Sequence, residues 1–377
     1  MPGVSSFCWR RVIMPVWTSK ASKRQLLGKL GAASLISLLA FAADRIWQGD
    51  DVGPQTRRAR ASQMMQRALD VVREHREQNG LSIDLAPDPN ATGLIGVEYS
   101  EITTTVGDLE AKRTTTNPAM ASLMVELLEK AGVGSGDRVA VGCSGSFPGL
   151  FVATLSAMEA LGAEPIIVIS LGASSYGANR LDFTLVELSL ELNRHAVLLH
   201  RVAGASLGGS GDRGLEFEPV VRASLEEKIR SAGIPLLSAG TLLEAVGERL
   251  AVYGVDSCKK AVKAFVNIGG GSVDMGTDPW ILELGPGLHR AIDVPGKVHE
   301  RGVLLAMAER GIPVIHLLNI KGLARKHGIP WDPVPYKEER SEPRSVKFWA
   351  VLVLYLCGMS VVSWKCRRQK EVVSNRG

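Results

Sequence analysis

Cysteines and the common metal and nucleotide motifs are scarce in this chain of 377 residues. Of its five cysteines, only Cys143 and Cys258 fall between residues 44 and 347, so that region can form at most one disulfide. No Cys-x-x-Cys, His-Glu-x-x-His or Gly-x-x-x-x-Gly-Lys motif is present. We therefore expect neither a resident metal nor another cofactor, and no nucleotide-binding P-loop.

Acidic residues are missing from the N-terminal end, although the formal net charge of the whole chain is only +5. Residues 1–43 carry six lysines or arginines and no acid, and residues 348–377 carry a net charge of +4. Subtracting both from +5 leaves about −5 for residues 44–347. Because this central region offers no net positive field, we expect no nucleic-acid partner.

Apolar segments of nearly membrane-spanning length adjoin these two basic ends. The first, residues 30–43 (LGAASLISLLAFAA), predicts a signal anchor or, because AFA matches an A-x-A cleavage site, a cleaved signal peptide. The second, residues 348–364, is uncharged and followed by the basic run KCRRQK, so it predicts a transmembrane helix. By the positive-inside rule, the residues between the two segments face outward from the membrane.

These features, together with a helical apolar spacing in residues 55–78 and a Pro-rich stretch near residue 335, divide the chain into predicted regions. The regions are a basic cytoplasmic N-terminus (1–29), a signal anchor or signal peptide (30–47), an amphipathic helix and linker (48–91), an extracytoplasmic α/β domain (92–328), a Pro-rich linker (329–347), a transmembrane helix (348–364) and a basic cytoplasmic tail (365–377). We expect the lipid bilayer to be one partner of such a chain.

Apolar runs of strand length recur through the central region. They are RVAVG (138–142), PIIVIS (165–170), AVLLHRV (196–202), PLLS (235–238), AFVNIG (264–269) and PVIHLL (313–318). Amphipathic stretches of helical length separate most of them, for example PAMASLMVELLEKAG and TLLEAVGERLAVYG. Continuous apolar strands alternating with helices predict an α/β fold with a doubly wound, mostly parallel sheet, here as an exported domain between two membrane segments.

Three loops rich in glycine and serine follow these predicted strands, namely GCSGSFPG (142–149), SLGASSYGANR (170–180) and NIGGGSVDMG (267–276). Ligands of open α/β sheets bind beyond the carboxyl ends of the strands, and small residues let the backbone approach an anion closely. We therefore predict an anionic or carbonyl-rich ligand. The binding candidates in these loops are Ser144, Ser146, Ser174, Ser175, Asn179, Gly269, Gly270, Gly271 and Ser272.

A threonine-rich stretch before a predicted helix, EYSEITTTVGDLEAKRTTTNP (98–118), adds further candidates. Lys112, Arg113 and Asn117 could contact carboxylates of an acidic ligand at the start of that helix. The alternative is an ordinary solvated surface in which these charges have no ligand.

Ser144 and Ser146 raise the question of covalent catalysis. A nucleophile elbow requires Gly-x-Ser-x-Gly, but residues 142–146 read GCSGS, so the second glycine is replaced by a serine. If either serine attacks a substrate, a histidine such as His316 would serve as the base, although a histidine within an apolar strand is also typical of a core. Residues 209–214 (GSGDRG) match Gly-x-Gly-x-x-Gly but follow the predicted strand 196–202 at a distance, so we interpret them as a flexible loop.

Residues 92–336 resemble the poly-gamma-glutamate system protein family. The resemblance rests on TGLIGVEYSEITTT, AKRTTTNPAMASLMVELLEKAGV, GDRVAVGCSGSFPG, SLGASSYGAN, KAFVNIGGG, GIPVIHLLNI and GIPWDP. It implies a place in the bacterial cell envelope, with the machinery that makes or exports a capsule polymer, and it implies no particular reaction.

Three functions remain open on these grounds. The first is a membrane-anchored accessory protein that binds poly-γ-glutamate or its precursor through the Gly/Ser-rich loops. The second is an exported amide hydrolase or transferase in which Ser144 or Ser146 attacks the polymer. The third is a structural subunit that organises the subunits of the membrane synthase.

Overall fold

The computed structural model describes residues 53–255, 261–294 and 300–336, together with the single positions 34, 37, 355 and 356. It divides the chain into two compact units, Gly53–Glu339 and a unit formed by Met1–Val52 with Arg340–Gly377. The predicted membrane segments, 30–47 and 348–364, lie outside the described residues apart from those single positions. Within the part that is described, no helix has both the length and the apolar character needed to cross a bilayer.

The strands among the described residues are short. They are β1 (Thr103–Thr105), β2 (Arg138–Ser144), β3 (Glu164–Ser170), β4 (Ala173–Ser174), β5 (Val202–Ser206), β6 (Val262–Ile268), β7 (Gly287–His289) and β8 (Val314–Leu317). Most of them alternate along the chain with helices, which is the pattern that predicts a parallel sheet.

The α-helices lie between and around these strands. They are α1 (Pro54–Gln78), α2 (Leu109–Thr115), α3 (Ala119–Lys130), α4 (Pro148–Leu161), α5 (Leu185–Arg194), α6 (Pro219–Ser231), α7 (Leu242–Tyr253), α8 (Ser272–Met275), α9 (Val303–Glu309) and α10 (Ile320–His327). Short 3-10 turns occur at Ser210–Asp212 and Pro279–Glu283.

The central sheet has the strand order β5-β3-β2-β6-β8-β7, and β1 pairs with β4 in a small separate sheet. All pairs of the central sheet are parallel except the antiparallel pair of β7 and β8. The chain first builds outward from β2 to β3 and β5, and then returns to the other side of β2 with β6. The predicted α/β fold with a mostly parallel sheet is therefore confirmed, and the direction of winding reverses between β2 and β6.

Burial on both faces explains the continuous apolar runs of the strands. In β2, Val139 and Val141 belong to one core cluster, which also contains Leu69 of α1 and Phe151 of α4. Ala140 between them belongs to a second cluster, with residues of α7, α8 and α9. Alternate residues of one strand thus enter different cores, so both faces require apolar side chains.

The predicted strand at 196–202 is displaced. The strand is β5, Val202–Ser206, and residues 196–201 form the connection from α5. Asn193 near the end of α5 donates a hydrogen bond of 2.9 Å to the carbonyl of His200, which holds this connection against the helix. The predicted strand PLLS is reduced, among the described residues, to a single bridge between Leu236 and Ala205.

Both segments that flank the predicted α/β domain pack onto it. Met65, Leu69 and Val72 of α1 are buried in the first core cluster, so the amphipathic helix belongs to the same compact unit as the sheet. At the other end, residues 329–336, called here the 329–336 segment, lie against α2. Asp332 in this segment accepts two hydrogen bonds from the Arg113 guanidinium, at 2.7 and 2.5 Å.

Truncation of Leu69 should measure how much α1 contributes to the unit. Leu69 is 1 % exposed, so Leu69→Ala leaves a cavity and should lower the free energy of unfolding by about 2 to 5 kcal/mol in urea denaturation. Leu199→Ala makes the same chemical change where the side chain is 64 % exposed, and should change it by less than about 0.5 kcal/mol. Equal effects of the two substitutions would show that α1 does not stabilise the sheet.

Candidate functional site

A cavity of about 730 Å³ opens at the carboxyl edge of the central sheet. Loops that follow β1, β2, β3, β5, β6 and β8 all line it, with Trp331 from the 329–336 segment. The cavity therefore lies at the point between β2 and β6 where the winding reverses, which is the usual ligand position in open α/β sheets. Its volume falls in the range of small-molecule sites.

The structure brings the three predicted Gly/Ser-rich loops together at this cavity. The sequence-predicted residues that line it are Lys112, Ser144, Ser146, Ser174, Gly270, Gly271 and Ser272. The close packing of the first two loops requires glycine at position 145. The Gly145 N–H donates to the carbonyl of Ser170 at 2.8 Å, and a Cβ at that position would lie 2.7 Å from the carbonyl oxygen of Leu171.

Lys112 is the most unusual side chain of the cavity, because lysine side chains are ordinarily charged and solvent-exposed, and this one is only 2 % exposed. Its Nζ lies 2.6 Å from Oγ of Ser174, contacts the carbonyl oxygen of Ser146 and stands 3.9 Å from the centre of the Phe147 ring. Burial lowers the pKa of Lys112 to about 7, against the opposing attraction of Asp108. The amine is therefore partly neutral at physiological pH.

The two serines of the GCSGS sequence occupy different environments. Ser146 Oγ accepts a hydrogen bond of 3.0 Å from the backbone N–H of Ser174, so it helps to position that residue. Ser144 is buried at the cavity wall, and its Oγ has no hydrogen-bond partner among the described residues. An unpaired buried hydroxyl facing a cavity is available to a ligand.

His316 is not arranged as a base for either serine. It is 1 % exposed, and its Nδ1 lies 2.9 Å from Nδ2 of Asn267 on the neighbouring strand. Burial lowers the pKa of His316 to about 4, so it is neutral at physiological pH. Within the described part of the chain, no hydrogen bond joins His316 to Ser144 or Ser146. The hypothesis that His316 acts as the base for Ser144 or Ser146 gains no support from this geometry.

The remaining sequence-predicted residues make structural contacts outside the cavity lining. Arg113 forms the two hydrogen bonds to Asp332, and the Asn117 side chain accepts from the N–H of Ala119 at the start of α3. Asn179 bonds both backbone groups of Val97. The Ser175 and Gly269 N–H groups donate to the carbonyls of Thr105 and Leu317, respectively. These groups are engaged within the fold, and their predicted role in ligand binding stays a prediction.

Sequence reasoning missed a buried ionic network beneath the cavity. Arg249 of α7 is 1 % exposed and donates to Asp212 at 2.6 Å and to the hydroxyl groups of Ser170 and Ser206 at 2.8 and 3.1 Å. Asp274 of α8 lies 3.5 Å from the same guanidinium. Burial opposes the charge of Arg249, but the two carboxylates hold its pKa above the ordinary value. The network fixes the loops after β3, β5 and β6 relative to one another.

The GSGDRG stretch (209–214), interpreted from the sequence as a flexible loop, contains the 3-10 turn Ser210–Asp212 and supplies Asp212 and part of the cavity wall, a role that the sequence did not predict. The cause is the displaced strand, since β5 ends at Ser206 and the stretch follows it almost directly. Two features of the sequence indicated the true positions of the strand and the loop: the small residues VAGAS, which form β5, and the Gly-x-Gly-x-x-Gly match that follows them. Apolar content alone favoured AVLLHRV as the strand and moved the expected loop away from the sheet edge.

Comparisons with protein-family models, with curated proteins and with solved structures found no match to this chain. The fold and the cavity together define a class, namely α/β proteins with a mostly parallel sheet and a polar cavity where its winding reverses. The first loop of the sheet reads GCSGS rather than Gly-x-Gly-x-x-Gly, so it lacks the dinucleotide fingerprint of that strand order. Within the part of the chain that the structure describes, no three or more histidine, cysteine, aspartate or glutamate side chains form a group that could hold a metal ion.

The titration of Asp274 should appear in the pH dependence of stability. Burial raises its pKa from 3.8 to about 6 despite the attraction of Arg249, so between about pH 4 and 6 the folded state binds a proton that the unfolded chain has released. This contribution to stability therefore falls as pH rises through that window. We expect the free energy of unfolding of the natural chain, minus that of Asp274→Asn, to fall by up to about 1.4 kcal/mol per pH unit.

Asp182 provides a contrast of opposite sign. Its hydrogen bond with Arg180 lowers the pKa of Asp182. The free energy of unfolding of the natural chain, minus that of Asp182→Asn, should therefore fall as the pH is lowered. Denaturant titrations at several pH values measure both differences. A pH-independent difference for Asp274→Asn between pH 4 and 6 would contradict the raised pKa.

Proposed function

We propose that this protein is a membrane-anchored accessory component of bacterial poly-γ-glutamate synthesis or export, and that its α/β unit binds the anionic polymer or its precursor. The cavity carries this proposal, because three Gly/Ser-rich loops and the buried Lys112 converge on one space at the reversal of the sheet. The family resemblance of residues 92–336 supports the choice of polymer.

The distribution of donors favours a carboxylate ligand. Lys112 and Lys321 line the cavity together with serine hydroxyl groups. The acidic residues of the wall are already occupied by internal donors: Asp212 by Arg249, Asp108 by the Ala111 N–H at 3.2 Å, and Glu216 by the Ser210 N–H at 2.9 Å. The lysines and serine hydroxyl groups of the wall can therefore donate to an acceptor-rich ligand.

The mouth of the cavity combines charge with an aromatic surface. The exposed Lys321 holds its Nζ 5.6 Å from the centre of the Trp331 ring, and both residues line the cavity. A γ-linked glutamate chain presents carboxylates separated by methylene groups, so its carboxylates would meet Lys321 while its methylene groups contact Trp331. Binding would depend on these local groups, since residues 44–347 carry a net negative charge.

The proposed location rests on the two basic, apolar ends of the sequence. In this proposal residues 30–47 and 348–364 anchor the chain, the α/β unit is extracytoplasmic, and the partners are the bilayer and the subunits of the synthase. The alternative role as a structural subunit needs no ligand in the cavity. The alternative of an exported hydrolase using Ser144 or Ser146 lacks a base at either serine in the described contacts.

Titration of the purified full-length protein with defined γ-glutamate oligomers tests the binding role. We expect binding that weakens with added salt, and about a 2- to 5-fold loss of affinity in Lys321→Gln, because an exposed ionic contact contributes up to about 1 kcal/mol. Lys326→Gln is the matched control, since Lys326 is an exposed lysine on the same helix outside the cavity lining. Calorimetry measures the affinities.

Absence of binding at millimolar oligomer would reject this role and favour the structural subunit. Equal losses in the two lysine variants would show that the oligomer is attracted by general surface charge and not by the cavity.

A further inference from the structure

Ser174 and Lys112 form a pair that the Ser/His hypothesis did not consider. Ser174 Oγ lies 2.6 Å from Nζ of Lys112, and both side chains line the cavity. Lys112 comes from α2 and Ser174 from β4, so the tertiary fold alone brings them together. A buried amine beside a hydroxyl group at an open cavity is the geometry of a nucleophile with its base.

The surroundings fix this pair in position. The Ser174 N–H donates to Ser146 Oγ, and the Ser146 carbonyl oxygen accepts from Lys112, so one residue orients both partners. With one N–H directed to that carbonyl, the neutral amine keeps its lone pair for the proton of the Ser174 hydroxyl. Gly107 allows the close approach, because a Cβ there would lie 3.1 Å from Cε of Lys112 and 3.2 Å from Oγ of Ser174.

We propose that Ser174 is a nucleophile activated by Lys112, and that the cavity transfers or hydrolyses an acyl group. The pKa of Lys112, which burial lowers to about 7, supplies a neutral base at physiological pH. The choice of an amide in a glutamate chain as the substrate rests on the proposed function. The pairing of the serine with the lysine does not depend on it.

The reaction balances with groups present at the site and water. Ser174 Oγ attacks the amide carbonyl carbon, and its hydroxyl proton passes to Nζ of Lys112. When the C–N bond breaks, Lys112 gives that proton to the departing amine and an ester remains on Ser174. Water then attacks the ester while Lys112 takes its proton. The bond from carbon to Oγ breaks, Lys112 returns the proton to Oγ, and a carboxylic acid is released.

Labelling of the purified full-length protein with a fluorophosphonate tests this inference, because an activated serine oxygen displaces fluoride from the probe. We expect a single modification at Ser174, located by peptide mass spectrometry, at a rate that rises with pH through about 7. Ser174→Ala should abolish it, and Lys112→Arg should slow it at least about 100-fold, because arginine stays protonated. Ser156→Ala, a buried serine of α4 outside the cavity, should label as the natural chain does.

The pH profile must be assigned against the other charged groups that face the cavity. These are Asp108 before α2, Asp212 and Glu216 after β5, and Lys321 on α10. All of them remain in Lys112→Arg, so the part of the profile that this variant loses belongs to Lys112. Thermal melting identifies any variant that fails to fold. If a variant is unfolded, the labelling site and the pH profile of the natural chain test the inference without it.

Two results would overturn the inference: no labelling of Ser174 in the natural chain between pH 6 and 9, or labelling of folded Lys112→Arg at the natural rate. The γ-glutamate titration separates this inference from the proposed function. Oligomer binding without labelling retains the binding role alone. Labelling without oligomer binding retains the serine and lysine pair but requires a different acyl substrate.

Discussion

The parallel pairing of β2 with β3 on one side and with β6 on the other is the constraint on which the cavity depends. In this register Ser144 lies beside Ser170, and Cys143 beside Ile268, so the loops that follow these strands begin at the same level. Because the helices after β2 and β6 depart in different directions, a gap opens between the loops. The strands are buried on both faces, which keeps this edge rigid while the loops differ in sequence.

Buried charge then gives the two sides of that gap different properties. Beneath the loops, Arg249 is matched by two carboxylates and remains charged, so it acts as a permanent link between β3, β5 and α8. In the wall, Lys112 contacts no carboxylate among the described residues and is surrounded by hydroxyl, carbonyl and aromatic groups. Removal from water without an ionic partner favours the neutral amine. Arg249 therefore stabilises the framework as a permanent cation, whereas Lys112 can lose its proton.

Local pattern predicted the sheet and three of the cavity loops, because apolar runs such as RVAVG and PIIVIS must be strands if both faces are covered. It failed at β5, where the strand VAGAS is built from small residues and the more apolar stretch before it packs as a connection. The site was predicted only in part. Its loops carry a glycine and serine signature, but the approach of Lys112 to Ser174, and of Arg249 to Asp212, joins residues far apart in sequence. No periodicity encodes such contacts.

The attachment of the 329–336 segment has a mechanical consequence. Arg113 donates to Asp332, Glu110 accepts a hydrogen bond from the indole N–H of Trp331, and Thr116 contacts the hydroxyl of Tyr336. The 329–336 segment is therefore attached along the whole length of α2. A mechanical force applied to the chain after Tyr336 would therefore act on α2 before it acted on α10 or on the sheet. Since α2 also carries Lys112, a force applied at this end of the segment would reach the wall of the cavity before the rest of the α/β unit.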